Sequence, residues 1–319
     1  MATLSHPTVD LSVFLKDGEE EEKKRAKEII SHACSEYAFF QAVKHEIPLE
    51  LMSRAMELTK IFFALPEEEK RKCRPKSSEP ESAGYGKMSA HGIDLNEYIL
   101  MLPPQSSSNV LPNDPPELRP ALEELFNYFC KTGELVECIF NDCLGLPPDF
   151  LKKYNDDRSS DILTTRRYFP ASENDNIGLP QHTDGNFITF VFQDEVGGLE
   201  VLKDGEWTPI VSMEGTIVVN VGDVIQVLTN NKFKSAPHRV LKPKGRSRHS
   251  ITYFYSLQGD KRVEPLPHYT KQIGEPPKYR GFMVKDYRAL RIRNRTHPPS
   301  RREDVIDITH YAIPYNYQE

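Results

Sequence analysis

The chain has 319 residues, 38% of them apolar and 28% charged, with a formal net charge of -6. That balance supplies core enough for an ordinary soluble protein, excludes a disordered chain, and offers no basic footprint for nucleic acid, since Lys and Arg are scattered among acids. No run approaches the ~20 apolar residues of a membrane span. The N-terminal stretch shows neither a cationic leader nor a long apolar run, and the five cysteines, odd in number and without CxxC spacing, read as reduced thiols. A cytoplasmic protein with no membrane partner is the expectation.

In chain order, residues 9–15 (VDLSVFL) read as a short strand and residues 19–37 as a helix with Ile29, Ile30, Ala33 and Cys34 on one face. The run EEEEKKR inside it reads as a solvated helix face with charges at i and i+4. A buried strand is expected in YAFFQAVKHEIP, then an amphipathic helix over residues 49–65, halted by Pro66. Residues 73–120, rich in Pro, Ser, Gly and Asn, read as a long loop or lid with one strand at NEYILML. The longest helical pattern, residues 118–144, repeats Leu122, Leu125, Phe126, Phe129, Leu135, Ile139 and Cys143 at threes and fours, as a helix lying on a sheet does. After Asp161 the period changes. ILTTRRYF, FITFVF, LEVL, TIVVNV, VIQVL and SITYFYSL are short β segments split by Gly, Asn and Asp turns. Proline-rich connections and a short helix near residues 279–292 follow. The outline is a β-sandwich or barrel with helices packed outside it.

Where LPQHTDGNFITF turns into a strand, His182 and Asp184 stand two residues apart, and extended backbone sends both to one face. His238, in SAPHRVL, completes a set of two imidazoles and one carboxylate from a neighbouring strand. Such a set is the facial triad of non-haem Fe(II) oxygenases, but the same ligands occur at hydrolytic zinc, so ligand type leaves both metals open. Ten residues beyond His238, Arg248 and Ser250 open SITYFYSL. A guanidinium fork with a nearby hydroxyl suits the far carboxylate of a small diacid, and a metal with open positions beside that anchor implies a bidentate acid cosubstrate. His249 should face away and be structural. Asn220 reads as a strand-end hydrogen-bonder near the cosubstrate, and Phe233, between the last two metal-linked strands, as an aromatic candidate for the substrate pocket. His32, His45, His91 and His268 read as exposed or hydrogen-bonded, and Trp207 as core or hairpin packing.

The pattern His-x-Asp, then His, then Arg-x-Ser resembles the plant-type 2-oxoglutarate and Fe(II)-dependent dioxygenases. GLEVLKDGEWTPI, VVNVGDVIQVLTNNKFKSAPHRV, ACSEYAFFQAVKHEIP, FFALPEEEK and GYG extend the resemblance over nearly the whole chain. It implies a mainly β protein with flanking helices: a double-stranded β-helix, or jelly roll, over residues 161–260, an N-terminal α/β elaboration over 1–160 packed on that core, and a C-terminal extension with a short helix over 261–319. It implies His182, Asp184 and His238 as iron ligands, Arg248 and Ser250 on the distal carboxylate of 2-oxoglutarate, and Tyr98, Leu100 and Phe254 at pocket-lining positions. Fe(II), 2-oxoglutarate and ascorbate are the implied cofactors, O2 and a small molecule the partners, and the chain a monomer. The implied activity is oxidation, by default hydroxylation, of a small, largely apolar specialised metabolite or hormone, with release of succinate and CO2. A same-fold Fe(II) oxidase that does not use 2-oxoglutarate and a non-catalytic ligand-binding β-sandwich are the alternatives. Two departures stand out. Lys44, His45 and Glu46 occupy the place of a usual Asn-His-Gly, a matter of one local turn, and Arg167, Tyr168, Phe169 and Pro170 that of Asn-Tyr-Tyr-Pro. The second tyrosine of that motif helps bind 2-oxoglutarate, so Phe169 is expected at the cosubstrate without a hydroxyl, weakening its binding.

Overall fold

A computed structural model describes residues 6–15, 19–76, 82–90, 93–173, 175–297, 299–301 and 304–314; His91 lies outside them. β1 (Thr8–Asp10) is shorter than its apolar run, because the Asp10 carboxylate accepts from the Ser12 amide and turns Leu11–Phe14 into a 3-10 helix. In α1 (Glu20–Glu36), Ala26, Ile30, Ala33 and Cys34 are buried while Ile29 is left to solvent. β2 (Phe39–Val43), α2 (Leu49–Ala64) and a short α3 (Glu67–Arg71) follow. Between β2 and α2 the backbone is left-handed at Lys44 (φ 50°) and Glu46 (φ 62°), without the Asn or Gly that suits such positions.

Residues 73–120 hold a hairpin rather than a single strand: β3 (Gly84–Ala90) pairs with β4 (Ile93–Met101). GYGKMSA shows no apolar alternation because β3 is an edge strand. A Cβ at Gly86 would stand 2.6 Å from the Tyr98 ring, so the glycine makes room for it. α4 (Leu118–Cys143) and α5 (Phe150–Tyr154) lead to β5 (Ile162–Tyr168), β6 (Ile177–His182) and β7 (Ile188–Gln193). The hairpin β8 (Leu199–Lys203) and β9 (Glu206–Pro209) precedes β10 (Ile217–Val221). VIQVL, expected as a strand, is instead helix α6 (Asp223–Leu228). A short apolar run buried on all sides has no period that separates the two. β11 (His238–Leu241), β12 (Arg248–Tyr255), β13 (Arg262–Val263), α7 (Pro267–Ile273), β14 (Phe282–Met283) and α8 (Val284–Thr296) complete the order.

The main strands form the two facing sheets of a jelly roll. One has eight strands in the order β1-β2-β10-β7-β12-β5-β4-β3, the other four in the order β6-β11-β8-β9. β2 pairs with β10 and β4 with β5, so strands that precede residue 161 are hydrogen-bonded into the larger sheet. Alternation sorts each strand's side chains between two layers. On β12, Ile251, Tyr253 and Tyr255 face the helices, where Phe129 of α4 stacks on Tyr253 with centroids 5.5 Å apart. Arg248, Ser250, Thr252 and Phe254 face the smaller sheet. Between the sheets, Phe39, Tyr168 and Val218 meet Leu199, Val201 and Val240, each burial contributing about 1.5–3 kcal/mol for the larger side chains. Among the described residues no helix is long and apolar enough to cross a membrane.

Candidate metal centre

β6 ends at His182 and β11 begins at His238, and the two residues pair directly across the antiparallel register. The turn that leaves β6 brings back Asp184, so that ligand atoms of all three side chains lie within 4.8 Å of one another. His182 Nε2 is 3.6 Å and His238 Nε2 3.7 Å from Asp184 Oδ1. On their other edge, His182 Nδ1 donates to the Pro180 carbonyl at 2.8 Å and His238 Nδ1 to the Ala236 carbonyl at 3.1 Å. A carbonyl can only accept, so each Nδ1 carries the proton and each Nε2 turns a lone pair inward.

Burial, with His238 acting in the same direction, lowers His182 to about 3, which keeps the imidazole neutral and able to ligate. Burial pulls the Asp184 carboxyl upward, but the two imidazoles and hydrogen bonds from Thr189 and Asn220 outweigh it and leave it below its ordinary value. Two imidazoles that turn Nε2 to one point beside an ionised carboxylate fit ferrous iron. The turn is also held from outside. The Asp223 amide donates to the Asp184 carbonyl at 2.7 Å, and the Asp223 carboxylate accepts from Thr183 Oγ1 at 3.1 Å and Tyr287 Oη at 2.7 Å. Arg291 of α8 donates to the Thr183 carbonyl. No sequence spacing marks Asp223, Tyr287 or Arg291, which meet the turn only through the tertiary fold.

Arg248 is 1% exposed. Its Nη2 donates to Gln193 Oε1 at 2.9 Å, its Nε to the Gly197 carbonyl, and its guanidinium lies 4.7 Å from the Tyr168 ring centre. Among the described residues no Asp or Glu pairs with it, and Nη1 has no partner. A buried cation with an idle donor is costly until an anion meets it, so this donor set fits a carboxylate. Ser250, also buried, follows two residues on along the same face.

Two expectations need correction. Phe169 does not face Arg248: Tyr168 is the register partner of Arg248, and Phe169 lies beside Arg167, whose guanidinium stands 4.9 Å from its ring. The alternation of β5 puts Tyr168, not Phe169, on the layer of Arg248. Phe233 is fully buried on the helix side, edge-on to Phe140 of α4 at 5.2 Å, and lines no pocket between the sheets. Asn220, expected as a strand-end hydrogen-bonder, donates through its Nδ2 to Asp184. Tyr98, Leu100 and Phe254 come together with Ala83, Ile162 and Leu102 as an apolar wall. His249 turns away, its amide donating to Asp194 Oδ2 at 2.6 Å, and Trp207 packs under Arg239 at 4.0 Å.

Comparison with known proteins agrees with this geometry. The family model of the 2OG-Fe(II) oxygenase superfamily matches residues 159–257, and that described as non-haem dioxygenase in morphine synthesis N-terminal matches residues 6–120. The chain is 32% identical to a flavonol synthase/flavanone 3-hydroxylase of Matthiola incana over 289 residues, 88% of this chain and 95% of the relative. It is 32% identical to 1-aminocyclopropane-1-carboxylate oxidase 1 of Malus domestica over 296 residues, 91% of each. Among solved structures, JOX2 in complex with 2OG, Fe and JA matches with a TM-score of 0.81 and 26% identity, covering 97% of this chain and 90% of that one. The dioxygenase for auxin oxidation in rice shares the fold, with a TM-score of 0.77 at 24% identity, covering 97% of this chain and 100% of that one.

Proposed function

The chain belongs to the 2OG-Fe(II) oxygenase superfamily, and from that membership we propose that it couples oxidative decarboxylation of 2-oxoglutarate to hydroxylation of a small, largely apolar metabolite or hormone. It is a dioxygenase that acts on a small molecule with O2. The observation that carries the 2-oxoglutarate dependence is Arg248, a buried guanidinium with an idle Nη1 and no acid partner among the described residues, on the interior face that the metal triad also borders. His182, Asp184 and His238 would hold the iron, and Arg248 with Ser250 the distal carboxylate of the cosubstrate. Bound Fe(II) would supply O2 activation, with 2-oxoglutarate giving up electrons and leaving as succinate and CO2.

The rest is the work of this chain's own side chains. The Pro180 and Ala236 carbonyls fix the imidazole tautomers, and Asn220 fixes the Asp184 carboxylate. Phe39 stands edge-on to His238 at 5.5 Å and, with Val218 and Val240, shields the inner side from water. Tyr98, Leu100 and Phe254 offer an apolar surface against which a substrate carbon can be held. A panel of plant metabolites assayed for substrate-dependent succinate release tests the proposal. One or more should release succinate and yield a product heavier by one oxygen. Oxidation without succinate would replace the proposal with an Fe(II) oxidase of the same fold, and binding without oxidation with a non-catalytic module.

A further inference from the structure

The interior face of the larger sheet carries a second arginine that the chemistry above does not use. Arg166 on β5 stands between Tyr98 of β4 and Ser250 of β12 in register, and alternation puts it on the same layer as Tyr168. It is half-buried; its Nη1 donates to Asn96 Oδ1 at 3.1 Å and its guanidinium lies 5.3 Å from the Tyr98 ring centre. Among the described residues no Asp or Glu forms an ion pair with it. Its neighbour Arg167, on the opposite face, behaves as a structural arginine should, with Nε 2.7 Å from the fully buried Glu97 carboxylate. Two residues back, Thr164 is 2% exposed on the same inward layer, between Leu100 and Thr252, and its hydroxyl has no partner. A buried hydroxyl left idle is costly in the free protein, and with a guanidinium that lacks an acid partner two residues along the same layer it points to a ligand that satisfies both.

Charge leads to the same place. Ferrous iron, the Asp184 carboxylate, a dianionic cosubstrate and Arg248 cancel among themselves, and the Asp223 carboxylate is matched by Arg291, 4.0 Å away. Arg166, half-buried on the same layer, then adds one positive charge that no Asp or Glu among the described residues balances. Tyr98 beside it also belongs to the apolar wall that Leu100 and Phe254 form farther along the same layer. We propose that the substrate is an apolar molecule bearing one carboxylate, which Arg166 grips from beside Tyr98 while the Thr164 hydroxyl donates to it, so that Arg166 and Thr164 set specificity. This deepens the function proposed above and rests on it.

The test uses the full chain loaded with Fe(II) and 2-oxoglutarate without O2, titrated calorimetrically with a set of aromatic and alicyclic monocarboxylic acids, each beside its methyl ester. At least one acid should bind about 10- to 150-fold more tightly than its ester, the range of a charged hydrogen bond. Arg166→Gln should erase that preference and Arg166→Lys retain part of it. Thr164→Val should weaken the acid by about 2- to 12-fold. None of the three should shift the binding of 2-oxoglutarate, which separates a substrate role from a cosubstrate one. Esters binding as well as acids, no acid binding, an acid preference that survives Arg166→Gln, or a loss confined to 2-oxoglutarate would each overturn the assignment. Should Arg166→Gln fail to fold, Arg166→Lys and Thr164→Val carry the same comparison. Absence of succinate in aerobic reactions, with the acid preference intact, would instead count against the oxygenase reading and leave Arg166 as the anion site.

Discussion

The carbonyls of Pro180 and Ala236 decide which nitrogen of each imidazole is free, and so whether His182 and His238 can face a metal at all. The same dependence on orientation governs Tyr168 and Phe169. Under Arg248, the Tyr168 ring is 2% exposed, and we propose that its hydroxyl meets a carboxylate held there. Tyr168→Phe should therefore weaken 2-oxoglutarate binding by about 2- to 12-fold, the value of one hydrogen bond. Phe169→Tyr, on the Arg167 side, should leave it unchanged. Titration of cosubstrate against both variants checks the pair; tightening by Phe169→Tyr would mean that the β5 alternation is misjudged. His182 and Asp184 were legible from their spacing, and His238, Arg248 and Ser250 from the motif order that the family resemblance supplied. Arg291 and Tyr287 were not, because their partners Thr183 and Asp223 lie 108 and 64 residues away.

Elements join through buried polar groups as well as apolar ones. Asp161, just before β5, is fully buried; it accepts from Tyr253 Oη of β12 at 2.7 Å and from the Ser256 amide at 2.8 Å, with Arg158 at 3.7 Å. Burial outweighs these partners and raises its pKa from 3.8 to about 6. The folded protein thus holds this proton more tightly than the unfolded chain. The resulting stability is fully present below pH 3.8 and is lost as pH rises through about 6. Its size is on the order of 3 kcal/mol. Asp161→Asn cannot titrate, so wild type should lose stability relative to it by that order between about pH 4 and about pH 7. Parallel denaturant curves for the two proteins would contradict this if their difference stayed constant with pH. The long helix α4 was readable from its period, and most strands after Asp161 from their alternation. β3 and α6 were not: an edge strand with glycines alternates nothing, and a six-residue helix with only Gln226 less than buried is too short to show a period.

At the scale of the whole molecule, function depends on two sheets closing around one interior. Strands from residues 8–101 complete the larger sheet around β5, β7, β10 and β12, so the site is built from both ends of the described chain: Phe39 near the start packs on His238, and α8 near the end holds the Asp184 turn. The resemblance of motifs located the jelly roll; hydrogen bonding between β2 and β10 and between β4 and β5 was beyond any local pattern, because pairing partners lie far apart in sequence. The central claim is that His182, Asp184 and His238 hold iron. Anaerobic titration of the purified chain and of Asp184→Ala with Fe(II), followed by calorimetry and with folding checked by circular dichroism, tests it most directly. Wild type should bind about one ion per chain, and the folded variant should bind it at least about 100-fold more weakly. Equal Fe(II) affinity in a folded Asp184→Ala protein would contradict the claim.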